Sequence, residues 1–521
     1  PFRFEFGGGL LRITAARGEV STGQEGSTLA EVFRHVAGCF FPADGRTPDP
    51  VMFSQPQYNT WIELMYDQNQ RDVLRYARAI VQQGYPPGVL MIDDNWQEDY
   101  GNWEFHLRRF PEPKRMMAEL HALGFKVMLW VCPFISPDSE VFRELEKKGL
   151  LLGEQLPAEP GETKPRRPRP AMIRWWNGVS ACLDLSHPDA VVWFKEKLDR
   201  LVREQGVDGF KFDAGDAEFY RGNLVAHAPD LVPNKHTEYF ARMGLGYPLN
   251  EYRASWKMAG QPLAQRLRDK EHRWEDLAAL IPGALAQGLM GYAFTCPDMI
   301  GGGENTSFLE GAKIDEELVV RSAQVHALMP MMQFSAAPWR ILRSEHNAIC
   351  RKMAELHVQH ADTFLALARH AAKTGEPIIR PLCWRWPGLG FEAVVDQFML
   401  GDDLMVAPVV RRSATTRSIV FPPGRWVDEE GSETIGPITK DVDVPLTRLP
   451  RFRRHPRSQG VQTRRSDSGY QPPARRPART TSKSRQSPRQ AESRWKMGPP
   501  KAAISAAMIA RCSLNLSPSC P

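Results

Sequence analysis

The 521-residue chain begins at Pro1, is 42% hydrophobic and 25% charged, and carries 14 Trp, 40 Gly and 43 Pro. That composition supports a sizeable core in two or three folded units and excludes collagen, coiled coil and wholesale disorder. The net charge of +6 conceals an asymmetry: residues 451–521 hold sixteen Lys and Arg against two acidic residues, a net +14, which leaves −8 on the first 450.

In chain order, residues 1–55 contain short apolar runs (FRFEF, GGLLRITA, CFFPA) and read as the remnant of an N-terminal β domain. Positions 1–30 lack the basic start and apolar core of a signal peptide. No run of 18 apolar residues is free of charge, so no membrane-spanning helix and no membrane partner are expected. Residues 56–345 alternate apolar runs with amphipathic ones. Strands are predicted at 59–65, 88–93, 125–131, 181–185, 209–213, 291–295 and 331–335, and helices at 71–83, 113–123, 139–148, 188–204, 275–287 and 316–328. Such alternation implies an α/β fold with parallel strands and helical crossovers. Its length suits a (β/α)₈ TIM barrel better than a doubly wound sheet, and neither a GxGxxG after a strand nor a Walker A lysine is present. The Pro- and charge-rich insertion 156–171 is expected to be a mobile loop.

Residues 346–450 open with a helical pattern that runs over 343–374. Short alternating runs follow (EPIIRPLCW, FMLGDDLMVAPVV, SIVFPP, GRWVDEEG) and predict a small C-terminal antiparallel β domain ending near Arg451. The Arg/Pro/Ser-rich 451–521 segment cannot bury enough apolar surface to offset its ordering entropy and is expected to be disordered. It reads as a truncated or frame-shifted end rather than a nucleic-acid arm, so no nucleic-acid partner is expected. The eight cysteines form no CxxC or CxxxC pair, and the 13 histidines no HxH or HExxH. Hence no metal site, cofactor or disulfide framework is predicted, and free thiols favour a reducing, cytoplasmic compartment. The oligomeric state is not legible.

Chemistry in a parallel barrel comes from the C-terminal ends of its strands. Those ends are rich in acids here: Asp93-Asp94-Asn95-Trp96 after the second strand, Asp184 after the fourth, Lys211-Phe212-Asp213 to Asp216 at the fifth, and Asp298 after the seventh. Arg253 and the run Arg266-Leu267-Arg268-Asp269-Lys270-Glu271 lie between the fifth and the seventh. Carboxylates bind hydroxyls and aromatic faces pack on sugars, so Trp96, Trp103, Trp175, Trp176, Trp256 and Trp274 beside these acids suit a carbohydrate pocket. Two acids, one ionised and one protonated, can cleave a glycosidic bond. For any single Asp, an N-cap or a turn is the bland alternative.

The wording of several segments is more specific. DGFKFDAGD at 208–216 resembles the nucleophile strand of glycoside hydrolase family 31, retaining α-glycosidases built on a (β/α)₈ barrel. Arg253 precedes Asp269 by 16 residues, the family's interval from its Arg-Ser motif to its acid/base. Asp298-Met299-Ile300-Gly301-Gly302 is similar to the family's Asp-Ile-Gly-Gly. Glu317-Leu318-Val319-Val320-Arg321-Ser322-Ala323-Gln324 is similar to its next helix, and 377–410 to its proximal C-terminal domain. The resemblance implies Asp213 as nucleophile and Asp269 as general acid/base. It further implies Asp94, Arg253 and Asp298 as sugar-hydroxyl ligands, Trp96, Trp175 and Trp176 as walls, and Asp216 as loop support or substrate contact, with Lys211 keeping Asp213 ionised. Asp269 would need a raised pKa, from burial near Trp274 and the charge of Asp213, with Arg268 and Lys270 turned away.

Three departures qualify the likeness. Met332-Gln333-Phe334-Ser335 stands where common α-glucosidases of the family carry Met-Arg-x-His, and the acid/base lies in Arg-Asp-Lys-Glu rather than Gly-Asp-Asn. Both resemble the family's α-galactosidase-like branch, which ranks α-galactosides ahead of α-glucosides. The third is the C-terminus, where the family's further β structure is replaced by the basic tail. The implied substrate is an oligosaccharide or small glycoside, and the alternative is a catalytically impaired relative that binds a glycan or partner.

Overall fold

The computed structural model describes residues 2–7, 10–15, 19–23, 26–155, 168–220, 224–229, 231–309, 311–455 and 509–513. Two compact units divide the chain: 25–455, and a smaller one joining 1–24 to 456–521. In the smaller unit Phe2–Gly7 pairs antiparallel with Leu10–Ala15, and Glu19–Gly23 pairs antiparallel with Ile509–Ser513.

The larger unit is built around eight parallel strands in unbroken chain order. They are β1 (Gln57–Asn59), β2 (Val89–Ile92), β3 (Lys126–Val131), β4 (Gly209–Phe212), β5 (Leu249–Tyr252), β6 (Ala264–Arg266), β7 (Thr295–Cys296) and β8 (Gln333–Phe334). β8 pairs with β1, and the ring closes where Met299, just past β7, bridges in parallel to Gln333. Helices cover the outside by burying one face. Gln70–Gln82, for example, buries Val73, Leu74, Tyr76, Ala77 and Ile80, the spacing of an amphipathic helix, and its N-terminus is capped by the Asn69 side chain. No helix lies between β5 and β6, which are joined by the loop 253–263 alone. Among the described residues no helix is long and apolar enough to cross a membrane.

Several predicted elements move. The run 181–185, read as the fourth barrel strand, belongs to an inserted antiparallel sheet: Gly178–Cys182 pairs with Ile173–Trp175 and with Phe134–Ile135. The predicted fifth strand is therefore β4, and β5 and β6 are two strands the hydrophobic pattern did not mark. Residues 59–65 form the end of β1 and the helical turn Trp61–Leu64 instead of a strand. The helical pattern at 343–374 is two helices, Ser344–Gln359 and Ala361–Thr374, broken at His360. Pro233–Met243 is a helix with no predicted counterpart.

The segment expected to be the remnant of an N-terminal β domain also holds a helix. Leu29–Phe40 is started by a capping box in which Thr28 and Glu31 exchange hydrogen bonds. It packs on the C-terminal domain through Phe33 against Trp384 at 5.3 Å and through an ion pair of Arg34 with Glu376 at 2.5 Å. That domain is a six-stranded antiparallel sheet in the order Ile379–Arg380, Phe398–Leu400, Leu404–Val406, Arg451–His455, Thr416–Asp428, Glu433–Asp443. Met405, Ile419, Phe421, Trp426 and Phe452 fill its core. The disordered tail expected from 451 is thus corrected at two places: Arg451–His455 is an inner strand of this sheet, held by ladders on both sides, and Ile509–Ser513 is a strand as well. The rest of the predicted tail and residues 156–167 of the predicted loop lie outside the described residues. Cys132, Cys182, Cys296, Cys350 and Cys383 are free and buried.

Candidate active site

A cavity of about 340 Å³ opens at the C-terminal mouth of the barrel, near the lower end of ligand-sized pockets. Its lining includes Asp93 and Asp94 after β2, Lys211 and Asp213 on β4 and at its end, Arg253 after β5, Arg266 on β6 and Asp269 in the loop beyond. Trp61, Tyr66, Trp130 and Trp176 supply aromatic surface, and Met299, Gly303, Glu304 and Asn305 complete the rim.

Local backbone geometry aims the acids. Asn95, Ala214 and Asp298 adopt left-handed conformations, with φ of +73°, +57° and +68°. Such angles cost non-glycine residues energy and cluster where side chains must be held for function. At Ala214 the turn follows Asp213 directly, and the Ala214 N–H donates to Asp213 Oδ1 at 2.9 Å. The indole N–H of Trp130 donates to Asp213 Oδ2 at 2.9 Å. Burial raises the Asp213 carboxyl, but the charges of Arg266, Lys211 and Arg253 outweigh it and hold the group below its ordinary value. Asp213 is an ionised carboxylate. Lys211 acts at one remove, since its ammonium is bound to Asp93 Oδ2 at 2.7 Å.

Asp269 meets two guanidinium groups. Arg253 Nη1 donates to Oδ2 at 2.6 Å and Arg266 Nη1 to Oδ1 at 2.8 Å. The same arginines stand 3.8 and 3.7 Å from Asp213 Oδ1, so both acids share one pair of cations. Burial raises the Asp269 carboxyl too, but Arg266 and Arg253 pull it well below the usual range. This corrects the expectation of a raised pKa. The Trp274 indole N–H is engaged elsewhere, donating to Asp315 at 3.0 Å. Arg268 does turn away, to Asp276. Lys270 instead points inward, onto Asp298 Oδ2 at 3.0 Å.

At the opposite wall Asp94 accepts hydrogen bonds from the Tyr100 hydroxyl at 3.1 Å and from Asn177 Nδ2 at 2.6 Å. Burial, with Asp93 beside it, pushes its pKa up to about 7. Arg253 also binds Asp216 at 2.9 Å, and its guanidinium lies 4.9 Å from the Trp176 ring centre.

Of the predicted residues, Asp94, Trp176, Lys211, Asp213, Arg253 and Asp269 line the cavity together. Four others do not. Trp96 is fully buried beneath it, its indole donating to the Trp130 carbonyl and packing on Phe105, because the left-handed Asn95 turns the chain downward after Asp94. Trp175 is a buried prop, stacked parallel to Trp130 and bonded to Ser180. Asp216 lies behind Arg253, and Asp298 is wholly buried under the floor, paired with Lys270 and 3.5 Å from Arg266. Asp184 is remote from the cavity and holds Ser186 and the His227 amide.

The pattern missed Trp61, Tyr66, Trp130 and Arg266. Arg266 sat in view in the run before Asp269, and its place on a strand was the missing information. Ser335, where the family's histidine would stand, is buried, accepting from Ile62 N and donating to Asn59 O. Gly303 keeps the rim open: a Cβ there would lie 3.2 Å from Asp298 Oδ2 and 3.5 Å from Asp269 Oδ1.

The TIM-barrel domain of glycosyl hydrolases family 31 matches residues 50–366, and the family's C-terminal domain matches 375–456. The chain belongs to glycosyl hydrolase family 31. It is 34% identical over 416 residues to the mouse (Mus musculus) myogenesis-regulating glycosidase, covering 78% of this chain and 57% of that protein. It is 25% identical over 438 residues to alpha-glucosidase 2 of Bacillus thermoamyloliquefaciens, covering 78% and 53%. The fold superposes on a Flavobacterium johnsoniae family 31 dextranase complexed with glucose with a TM-score of 0.72 at 20% identity, covering 82% of this chain and 54% of that one. The chain spans little more than half the length of these relatives.

Proposed function

We propose that this cavity hydrolyses the O-glycosyl bond of an α-glycoside with retention of configuration. Asp213 attacks the anomeric carbon while Asp269 delivers a proton to the leaving oxygen. A β-linked glycosyl ester forms, and Asp269 then takes a proton from the water that releases it. The observation that carries the reading is that an ionised, buried Asp213 and a more exposed Asp269 face one small cavity and share Arg253 and Arg266. Retention requires the two carboxyl groups about 5–5.5 Å apart during reaction, against about 6.5–9.5 Å for inversion.

Among α-glycosides we rank the galactoside first and the glucoside second. Ser335, at the sequence position where the α-glucosidases carry a histidine, is engaged inside the wall, and the indole of Trp61 lines the cavity. An axial 4-hydroxyl leaves galactose a continuous apolar C3–C4–C5 face that suits an aromatic ring. Glucose, with every hydroxyl equatorial, offers less. The α-glucosidase among the relatives keeps the second reading open. A panel of chromogenic α- and β-glycosides tests both: α-galactoside turnover above α-glucoside supports the ranking, and cleavage of β-glycosides alone refutes the reading.

The alternative, an impaired glycan-binding protein, is favoured by the two arginines that hold Asp269 ionised. Sugar binding by calorimetry without turnover of any activated glycoside would establish it.

A further inference from the structure

At the cavity floor two buried charged groups face each other without closing. Glu251, on β5, is 0% exposed; its Oε2 accepts from Gln333 Nε2 at 2.7 Å, whereas Oε1 has no hydrogen-bond partner. Arg266, on the adjacent β6, is equally enclosed. Its Nη1 serves Asp269, but its Nε has no partner. These two unpartnered atoms, a donor and an acceptor of opposite charge, lie 4.0 Å apart. Buried polar atoms are seldom left unpaired, and the gap is short enough for a small side-chain rotation to close.

We propose that Arg266 is a positioning residue with two pairings: Asp269 while that carboxylate is ionised, and Glu251 when Asp269 carries the proton for the leaving group. The inference rests on the reading of Asp269 as acid/base. A general acid clamped by two cations cannot hold its proton, so the mechanism needs somewhere for a guanidinium to go. Glu251 is the carboxylate under the floor with a free oxygen facing Arg266. The remaining neighbours are already committed. Around Asp269, Arg253 is shared with Asp216, Lys211 is bound to Asp93, and Lys270 is bound to Asp298. Asp213 keeps Trp130 and the Ala214 amide. Around Glu251 stand Lys211, Arg266, Asp298, Cys296 and the neutral Gln333. Burial first, with Asp298 adding to it, raises the Glu251 carboxyl, opposite to Asp269. Swinging Arg266 reverses both tendencies: cationic support passes from Asp269, which then binds its proton more tightly, to Glu251, whose ionised form it stabilises.

Glu251→Gln tests this, keeping the size and a partner for Gln333 while removing the second anion. Arg266 should then stay on Asp269. The alkaline limb of kcat/KM should move to lower pH, and poorly activated glycosides should lose at least about 10-fold more than a dinitrophenyl glycoside, which needs no acid assistance. Equal losses on both substrates with an unmoved limb would mark a merely structural role and overturn the proposal. A second measurement needs no turnover. In Asp269→Asn the neutral amide stands in for the protonated acid, and a crystal structure should show Arg266 Nε within about 3 Å of Glu251 Oε1. A gap still at 4.0 Å defeats the idea. Should the unaltered protein cleave no glycoside, the acid/base reading fails, and this structure still decides whether Arg266 has two pairings.

Discussion

Arg253 and Asp269, sixteen residues apart in the chain, are joined by a hydrogen bond of 2.6 Å across the mouth of the barrel. Arg253 also binds Asp216 and lies over Trp176, so it links the proposed acid/base to the wall that would hold the sugar. A substrate hydroxyl that recruits Arg253 loosens its grip on Asp269. Arg253→Met removes that charge, and the sign follows: with less cationic support for its ionised form, Asp269 binds its proton more tightly. The alkaline limb of the pH–rate profile should therefore move to higher pH. At the same time kcat/KM should fall about 100-fold through lost substrate contacts. An unmoved limb would show that Arg253 does not govern the acid.

Replacing the proposed nucleophile should be the most damaging change in the molecule. Asp213→Ala is expected to lower kcat on nitrophenyl α-glycosides about 10⁴-fold or more, with the far-UV circular dichroism of the fold retained. Near-native activity in purified Asp213→Ala protein would falsify the assignment.

Asp269→Ala should behave differently, because an activated leaving group does not need the acid. Loss on poorly activated glycosides should be about 10²- to 10⁴-fold, and on dinitrophenyl glycosides much smaller. Added azide should restore turnover and yield the α-configured glycosyl azide, the product of attack on a β-linked ester. A β-configured azide would mean that no such ester forms.

The positions of these residues were partly legible in the sequence. The segment 209–213 is an apolar strand ending in an acid, and its hydrophobic run predicts both the strand and its mouth. β5 gave no such signal, since Asn250 and Glu251 are polar residues of the barrel interior, and a strand of only three residues ending in Arg266 is equally silent. The apolar run 181–185 misled for the opposite reason, as a buried strand in an inserted antiparallel sheet looks like a barrel strand when only hydrophobicity is read. Side-chain direction was the other hidden variable. Trp96 follows Asp94 by two residues, yet one left-handed residue between them sends the indole under the floor.

Asp94 carries a pH signature. Its folded pKa is pushed up to about 7, above the roughly 3.9 of an unfolded aspartate. A carboxyl raised in this way binds its proton better in the folded state. It contributes stability below the unfolded value, and that contribution is lost as pH rises toward 7. Asp94→Asn should therefore flatten the decline in Tm between about pH 4 and pH 7. In the unaltered protein KM should fall as pH climbs through about 7, as the ionised carboxylate becomes the stronger acceptor of a sugar hydroxyl.

Arg321 shows what the helix after β7 contributes. It is 2% exposed, and it has no carboxylate partner at hydrogen-bond distance: its guanidinium donates to the carbonyls of Val444 at 2.7 Å, Arg448 at 3.2 Å and Pro445 at 3.3 Å. Gln324, one turn on, donates to the Leu446 carbonyl at 2.6 Å and accepts from Arg321 at 3.0 Å. The Arg-x-x-Gln spacing read from the sequence thus pins the C-terminal domain to the barrel helix through the loop carbonyls of 444–448. Burial lowers the guanidinium to about 10, so it stays charged at neutral pH. Arg321→Met would leave several buried carbonyls unpaired at about 1–3 kcal/mol each, a destabilisation of about 3 kcal/mol or more. The urea midpoint should fall accordingly, and limited proteolysis should cut first between the helix pair and the C-terminal sheet. Because Arg321 does not line the cavity, kcat/KM of the folded fraction should stay within about 2-fold of the unaltered protein. A stable Arg321→Met protein would mean that the domain interface is held elsewhere.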